Sequence, residues 1–329
     1  MNSNPVKQMS TKIMKILFNS NNILYIMKVK DGIIGFILGD ALGVPVEFHS
    51  RRELEEDPVV NMREYGTYSQ PRGTWSDDSS MTIATMTSII NKKGIDYTDI
   101  MEEFCKWRDN AEHTPHGEVF DIGSTTSRGL NRYKQGASAL ESGGSSTHDN
   151  GNGSLMRVLP LAYIQGIDYE TIENVSALTH AHERSKIACV LYVEIAKSML
   201  ANEDLSIDEH IENSNAKIME YYKDCEDLVH FKRIFNNDFS DGILSGGYVI
   251  DTIETVIYCL RNTTNYKDAV LKAINLGGDT DTNGAICGGL AGIYYGYDSM
   301  PIDWIREIVK IDEILSLCEK YEAFCDESK

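Results

Sequence analysis

The stretch GGDTDTNGAICGG, residues 277–289, places five oxygen-bearing side chains directly after a Gly-Gly pair and directly before a run of small residues. These side chains belong to Asp279, Thr280, Asp281, Thr282 and Asn283. Hard divalent cations prefer carboxylate and hydroxyl oxygens as ligands, and the same residue types are favoured at helix N-caps. The stretch therefore predicts either a cation site or the capped start of a small-residue helix.

An EF-hand calcium loop is the first cation site to compare with this stretch. Such a loop needs a bidentate glutamate at its twelfth position. Counting from Asp279, that position holds Leu290 and the ninth holds Cys287, which disfavours an EF-hand. Simple capping does not account for two aspartates two residues apart, and deciding between the interpretations requires partners elsewhere in the chain.

A second acidic cluster lies in GTWSDDSSM, residues 73–81. Ser76, Asp77 and Asp78 give three adjacent oxygen ligands at the start of a predicted helix, with Ser76 or Asp77 as its N-cap. Each cluster thus offers two carboxylates and a hydroxyl. If they converged in the fold, four carboxylates would repel one another strongly without a cation, and two divalent ions would neutralise them.

Composition narrows the class of protein. The 329 residues are long enough to bury a large core, and they carry a formal net charge of −19. Nucleic-acid backbones and anionic membrane surfaces are bound by clustered Lys and Arg, so we expect neither partner. An acidic protein that binds a phosphate-bearing ligand must supply positive charge through backbone N–H groups, a few basic side chains or metal ions.

Cysteine usage and apolar runs bear on location. The seven cysteines form no CxxC pair, which disfavours disulfides or a zinc knuckle and favours a reducing cytoplasm. No apolar run reaches transmembrane length, and polar residues 19–22 interrupt the hydrophobic region that a signal peptide needs. Because the run that begins at Met27 resembles a natural start, we interpret residues 1–26 as a disordered N-terminal extension.

Apolar residues three or four positions apart dominate the chain, as in amphipathic helices. This spacing predicts helices over 80–92, 97–109, 183–200, 248–260 and 303–324, with polar, glycine-rich joints at 63–79, 110–126, 141–154 and 275–284. The alternation of strands is scarce, and only short runs such as Pro58–Val60 could form one. We predict a single compact all-α domain of many helices, with functional loops at helix ends.

Four further motifs accompany the acidic clusters. GDALGVPVEF, residues 39–48, has glycines that allow close backbone approach and places Glu47 near the end of the first helix. DIGSTTSRG, residues 121–129, is a polar helix start that contains Asp121. GNGSLMRVLP, residues 151–160, combines glycines with a helix start and so suits a phosphate. In THAHERS, residues 179–185, capping by Thr179 or His180 is as reasonable as a ligand role.

In this order the motifs resemble the ADP-ribosylglycohydrolase family, which includes the dinitrogenase-reductase-activating glycohydrolases. The resemblance runs from about Asp31 to about Ile305 and makes residues 27–329 the catalytic domain. It implies an all-α fold with a binuclear magnesium or manganese centre in a cleft. The implied metal ligands are Ser76, Asp77, Asp78, Asp279, Asp281 and Thr282. The family usually has threonine where Ser76 and Ser79 stand, and the missing methyl of Ser76 would loosen the site.

The resemblance also assigns residues around the metals. Glu47 matches an acidic residue near them, Asp121 matches an aspartate that nitrogenase-linked members place beside the substrate, and His180 matches a ligand-facing histidine. The segment that cradles ADP-ribose carries over to Gly151, Asn152, Gly153, Ser154 and Met156.

The activity that the resemblance implies is removal of ADP-ribose from a modified protein side chain, most naturally arginine. Two divalent cations, Mg²⁺ or Mn²⁺, would activate water at the anomeric carbon. Glu47 would be the base for that water, or would shift to release it, and Asp121 would orient the leaving group. Two alternatives stay open: hydrolysis of another conjugate, such as serine-linked ADP-ribose or O-acetyl-ADP-ribose, and a catalytically silent ADP-ribose-binding member. The expected state is a cytoplasmic monomer whose partner is an ADP-ribosylated protein.

Overall fold

The computed structural model describes residues 29–327, and the predicted extension over residues 1–26 lies outside this range, as does Met27. Fourteen α-helices follow one another within it: α1 (Val29–Gly43), α2 (Arg51–Glu56), α3 (Asp77–Lys92), α4 (Tyr97–Asn110), α5 (Ser124–Lys134), α6 (Tyr169–Ala177), α7 (Glu183–Ala201), α8 (Ile207–Tyr221), α9 (Lys232–Phe235), α10 (Val249–Arg261), α11 (Tyr266–Asn275), α12 (Thr280–Tyr295), α13 (Ile302–Glu307) and α14 (Ile311–Glu327). Short 3-10 helices lie at Val44–Val46, Ala139–Glu141, Asn152–Arg157, Leu159–Tyr163, Glu226–Phe231 and Tyr297–Ser299. Residues 29–327 contain no strand, only two isolated bridges, and the all-α prediction is confirmed.

The short strand considered for Pro58–Val60 does not form, and a side chain takes the place of a neighbouring strand. The Asn275 side chain accepts from the Val59 N–H at 2.8 Å and donates to the Val59 carbonyl at 2.9 Å. Both backbone groups of Val59 are therefore satisfied without a sheet.

The single helix predicted over 303–324 is wrong, since α13 ends at Glu307 and α14 begins at Ile311. Lys310 has a φ of 60°, in the left-handed region. The residues between the two helices pair instead with the segment before α3: the Val309 N–H donates to the Gly73 carbonyl at 3.1 Å, and the Trp75 indole donates to the Val309 carbonyl at 3.0 Å. Tertiary contacts override the helical periodicity here.

The centre of the molecule is a close pair of helices, α1 and α12. In α1 every residue except Lys30 is buried, and α12 is buried from Thr280 to Gly292. A Cβ atom at Gly39 would lie 1.9 Å from the Gly284 carbonyl oxygen, and one at Gly43 would lie 2.3 Å from the Asp281 Cα. Glycine is required at these positions because the two backbones touch, and this contact brings the end of α1 to the start of α12.

Around this pair α12 packs against α7, α10 and α11, while α14 covers α1 from another side. The shared core contains large buried side chains from several helices, among them Phe36, Phe104, Tyr192 and Tyr266. Within the part of the chain that the structure covers, no helix is both long enough and apolar enough to cross a membrane. The described residues form one compact domain.

Candidate metal centre and active site

The first acidic cluster lies at the N-terminus of α3, where Ser76 is the N-cap, as predicted. Its hydroxyl accepts from the Asp78 N–H at 3.3 Å. The fully buried Asp40 of α1 accepts from the backbone N–H groups of Ser76 at 2.9 Å and of Ser79 at 3.1 Å, and also from the Ser79 hydroxyl. A carboxylate from another helix therefore satisfies these amides, so the carboxylates of Asp77 and Asp78 are not needed as caps.

The second acidic cluster does not act as a simple helix cap. Asp279 occupies the N-cap position of α12 but makes no side-chain capping bond, and its Oδ2 instead accepts from the Asn152 Nδ2 at 2.8 Å. Two of its neighbours bind backbone carbonyls: the Thr280 hydroxyl donates to Gly43 at 2.8 Å, and the Asn283 amide donates to Ser245 at 2.8 Å. The side chains of Thr280 and Asn283 thus stabilise the fold. Asp279, Asp281 and Thr282 remain as candidate cation ligands.

The two clusters meet at Asp78, whose Oδ2 accepts from the hydroxyls of Ser76 and Thr282, each at 3.2 Å. Close by, Glu47, Asp121 and Asp281 each contribute an oxygen, and these three oxygens lie within 4.8 Å of one another. Glu47 follows the 3-10 helix at the end of α1, and Asp121 precedes α5. Groups from four separate parts of the chain therefore converge.

This convergence is electrostatically costly for the protein alone. Burial, followed by repulsion from neighbouring carboxylates, raises the pKa of Asp77, Asp78 and Asp281 well above the ordinary aspartate value. Burial and the nearby Asp121 raise the pKa of Glu47 to about 9. The charges that act most strongly on these groups are other carboxylates, so the cluster has the negative charge that a cation would neutralise.

Unpaired oxygens within the cluster also indicate a cation site. Glu47 Oε2, Asp78 Oδ1 and Asp281 Oδ2 are buried without any hydrogen-bond partner among the described residues. A buried acceptor without a partner costs stability. Coordination to a cation would satisfy the oxygens of Asp78 and Asp281, and a water bound there could satisfy that of Glu47. The donor set consists of carboxylate and hydroxyl oxygens, so it fits Mg²⁺ or Mn²⁺ better than softer metals.

A third acidic group, Glu103 with Glu112 and His113, also has ligand atoms within 4.8 Å of one another. Here the central carboxylate is already paired, since Lys106 Nζ lies 2.6 Å from one Glu103 oxygen and His113 Nε2 lies 2.7 Å from the other. The charge of the buried Glu103 is thus already balanced by the partly exposed Lys106, and it needs no metal.

The predicted ADP-ribose cradle forms a 3-10 helix, Asn152–Arg157, where a helix start was expected. The Asn152 amide donates to Thr252 at 3.0 Å as well as to Asp279, so it links the cradle directly to a candidate metal ligand. A Cβ atom at Gly153 would lie 3.0 Å from His180 Cε1, and one at Gly151 would lie 3.6 Å from His180 Nε2. The glycines therefore leave space beside the histidine.

His180 is a neutral imidazole in this position. Its Nδ1 lies 2.7 Å from the Thr179 hydroxyl, and burial, with a further contribution from Arg157, lowers its pKa to about 3. It does not cap α7: the cap is His182, whose Nδ1 accepts from the Arg184 N–H at 3.3 Å. Capping by Thr179 or His180 was thus the wrong alternative, and His180 remains a candidate ligand contact.

Ser154 and Met156 have their side chains in the core. The Ser154 oxygen accepts from the Ser176 hydroxyl at 2.9 Å, and the Met156 carbonyl accepts from the Thr82 hydroxyl at 2.8 Å. These contacts fix the shape of the cradle, so the surface that it offers to a ligand comes from Gly151 and Gly153, which are only partly buried.

One residue at the site was not anticipated. The Tyr68 hydroxyl donates to Asp121 Oδ1 at 2.6 Å, and its ring lies 5.1 Å from that of Phe120. Burial and the adjacent carboxylates raise the pKa of Tyr68, which keeps its hydroxyl protonated. Because Tyr68 lies in a polar loop without periodicity, only a motif could have identified it, and none includes it.

Comparison with known proteins finds one matching family and several relatives. The family model described as ADP-ribosylglycohydrolase matches residues 21–328. The ADP-ribosylarginine hydrolase Tri1 of Serratia proteamaculans is 29% identical over 300 residues, which cover 89% of this chain and 78% of that protein. The ADP-ribosyl-[dinitrogen reductase] glycohydrolase of Rhodospirillum rubrum is 30% identical over 281 residues, which cover 84% and 88%.

A solved structure gives the same fold. An ADP-ribosylglycohydrolase-related protein complex superposes with a TM-score of 0.77 at 24% identity, covering 92% of this chain and 99% of that one. The family match spans every residue that the structure describes, including both acidic clusters and the cradle. The chain therefore belongs to the ADP-ribosylglycohydrolase family, the hydrolases of the glycosidic bond to ADP-ribose.

Proposed function

We propose that this protein removes ADP-ribose from modified arginine side chains of proteins, using two divalent cations. The observation that carries the proposal is the placement of Asp121, a half-buried carboxylate, within 4.8 Å of oxygens of Glu47 and Asp281. A guanidinium leaving group suits such a carboxylate, because the two form charge-assisted hydrogen bonds. The names of the relatives from Serratia and Rhodospirillum agree with a protein substrate and, in the first case, with arginine.

The residues proposed to hold the cations are Ser76, Asp77, Asp78, Asp279, Asp281 and Thr282. When bound, the cations would hold ribose hydroxyls and lower the pKa of a coordinated water. The unpaired oxygens of Asp78 and Asp281, and the hydroxyl contacts at Asp78, support this assignment. Mg²⁺ and Mn²⁺ are the candidates.

The reaction requires a base that accepts a proton from water and a group that binds the leaving guanidinium. The water oxygen bonds to the anomeric carbon, the bond from that carbon to the arginine nitrogen breaks, and the proton lost by water ends on the released guanidine. Glu47 is the proposed acceptor of the water proton, because its Oε2 is buried and unpaired. Asp121 holds the guanidinium by accepting its N–H groups, which orients the breaking bond.

The remaining predicted residues are proposed to bind ADP-ribose. Gly151 and Gly153 would give close backbone approach to the ligand, and the neutral His180 lies beside both glycines without adding charge. Asn152 fixes the distance between this cradle and the metals through its bond to Asp279. Among the described residues no cysteine forms a disulfide, which supports a reducing, cytoplasmic location.

The test is release of ADP-ribose from three conjugates: an ADP-ribosyl-arginine peptide, an ADP-ribosyl-serine peptide and O-acetyl-ADP-ribose. Each is assayed with Mg²⁺, with Mn²⁺ and with EDTA, beside Asp77→Asn, Asp279→Asn and the remote control Asp298→Asn. We expect metal-dependent release from the arginine peptide that Asp77→Asn and Asp279→Asn abolish and the control keeps. Faster release from either of the other conjugates would refute the arginine assignment, and full activity in EDTA would refute the metal assignment.

A further inference from the structure

The loop that carries Tyr68 is fastened to the segment that carries Glu47. The Thr67 N–H donates to the Pro45 carbonyl at 3.0 Å, and the Thr67 hydroxyl donates to the carbonyl of Glu47 at 2.7 Å. A Cβ atom at Gly66 would lie 1.7 Å from the Pro45 oxygen, so the two backbones are in direct contact. The position of Tyr68 is therefore fixed relative to Glu47.

The same loop is also fastened to the segment that ends in Asp121. The Gln70 amide donates to Glu118 at 2.8 Å, and the Tyr68 ring packs beside Phe120. Asp121 itself has a φ of 59°, which side-chain-bearing residues rarely adopt, and it lies three residues before Ser124, the first residue of α5. Its backbone lies outside any helix, and thus the direction of its carboxylate depends on side-chain contacts such as the Tyr68 hydroxyl.

We propose that Tyr68 is a positioning residue that orients the Asp121 carboxylate toward the leaving group and holds it at a set distance from Glu47. This inference rests on the proposed function. Tyr68 occupies one oxygen of Asp121 with a single O–H donor and so leaves the other oxygen to accept from the substrate. It joins the segment of Glu47, proposed to take the proton of water, to Asp121, proposed to hold the leaving group.

The consequence concerns the rate rather than binding. Tyr68 donates to Asp121, which belongs neither to the glycine cradle nor to the proposed cation ligands, so we expect its loss to leave affinity for ADP-ribose and for Mn²⁺ intact. The contact of Asp121 with the leaving group matters mainly in the transition state, as the bond breaks. A misaligned Asp121 weakens that contact but not substrate binding, so kcat falls while KM stays constant. The loss is about tenfold to a hundredfold, the usual range for a hydrogen bond to a charged group.

The test is a double-mutant cycle with Tyr68→Phe, Asp121→Asn and the combined variant, in the full-length protein with Mn²⁺. Tyr65→Phe is the matched control, because Tyr65 lies in the same loop and is 59% exposed. The substrate is whichever of the three conjugates the wild-type protein cleaves fastest. Melting temperature and affinities for Mn²⁺ and ADP-ribose, by titration calorimetry, are measured on every variant.

We expect Tyr68→Phe to lower kcat at least tenfold with both affinities within twofold of wild type, and to add no further loss to Asp121→Asn. Tyr65→Phe should be unchanged. A further tenfold loss on top of Asp121→Asn, or a parallel fall in either affinity, overturns the positioning role. A wild-type protein that prefers a conjugate other than arginine refutes the proposed substrate, while the cycle on that conjugate still tests Tyr68. A protein that cleaves none refutes both.

Discussion

Gly39→Ala tests whether the contact between α1 and α12 builds the site. On propensity alone this substitution stabilises a helix interior by about 1 kcal/mol, because alanine loses less conformational entropy than glycine. The new Cβ, however, would lie 1.9 Å from the Gly284 oxygen and 2.3 Å from its carbonyl carbon. Both are backbone atoms, so no side chain can rotate to relieve the clash and the two helices must separate.

The separation required is about 1.5 Å, the difference between this contact and the ordinary van der Waals distance. Overpacking usually costs about 1–3 kcal/mol and more when the backbone must move, so we expect a net destabilisation of about 3 kcal/mol. For a domain of this size that corresponds to a fall of about 5 °C in melting temperature. Mn²⁺ affinity should fall as well, because α1 carries Asp40 and leads to Glu47.

The assay is thermal unfolding followed by circular dichroism, with and without Mn²⁺, combined with calorimetric titration of the metal. Gly246→Ala is the control, since a Cβ there meets nothing within 4 Å, and its melting temperature should stay within about 1 °C of wild type. An unchanged or higher melting temperature for Gly39→Ala would mean that propensity outweighs the clash, and the argument from close backbone contact would fail.

Three further outcomes are expected. Asp40→Asn removes the charged acceptor for the first amides of α3 and should weaken Mn²⁺ binding about tenfold. Ser79→Ala removes one donor to Asp40 and should weaken Mn²⁺ binding less. Equal losses in the two variants would contradict the role of Asp40 as a cap for α3. In the metal-free protein, burial raises the folded-state pKa of Asp40 to about 6 and that of Glu47 to about 9. The folded state therefore binds these two protons more tightly than the unfolded state does. The stability that they contribute at low pH is lost as pH rises through those values. The melting temperature in EDTA should therefore fall from pH 5 to pH 9, with a smaller fall in Glu47→Gln and with Mn²⁺; a rise would refute this sign. Asn152→Ala should lower ADP-ribose affinity about tenfold by releasing the cradle from Asp279, and calorimetry showing unchanged affinity would exclude that linkage.

The sequence predicted the helices well wherever one face meets the core, because the spacing of apolar residues records that burial directly. It failed at residues 308–310, where Val309 exchanges hydrogen bonds with Gly73 and Trp75. Such a break depends on a segment more than two hundred residues away, so local periodicity carries no trace of it.

Some residues of the candidate site could be predicted from the sequence, and others could be identified only from the fold. Residues within glycine-rich or acidic motifs, such as Glu47 and Asp281, could be proposed from the sequence because their chemistry is unusual for a helix end. Asp40 lies in a quoted motif, yet its role as a remote cap for α3 requires knowing that α1 passes beside it. Tyr68 is one aromatic residue in an irregular loop, and only the folded chain reveals its contact with Asp121.

The pairing of α1 with α12 also has a consequence for synthesis. α1 ends at Gly43, and its partner is complete only at Tyr295. At about 5–20 residues per second, the ribosome needs about 13–50 s to supply the roughly 250 intervening residues. During that time α1, apolar on nearly every side, has no partner for its glycine-lined face. The growing chain should therefore depend on chaperones at its beginning rather than at its end, and slower translation would lengthen the interval in which it can aggregate.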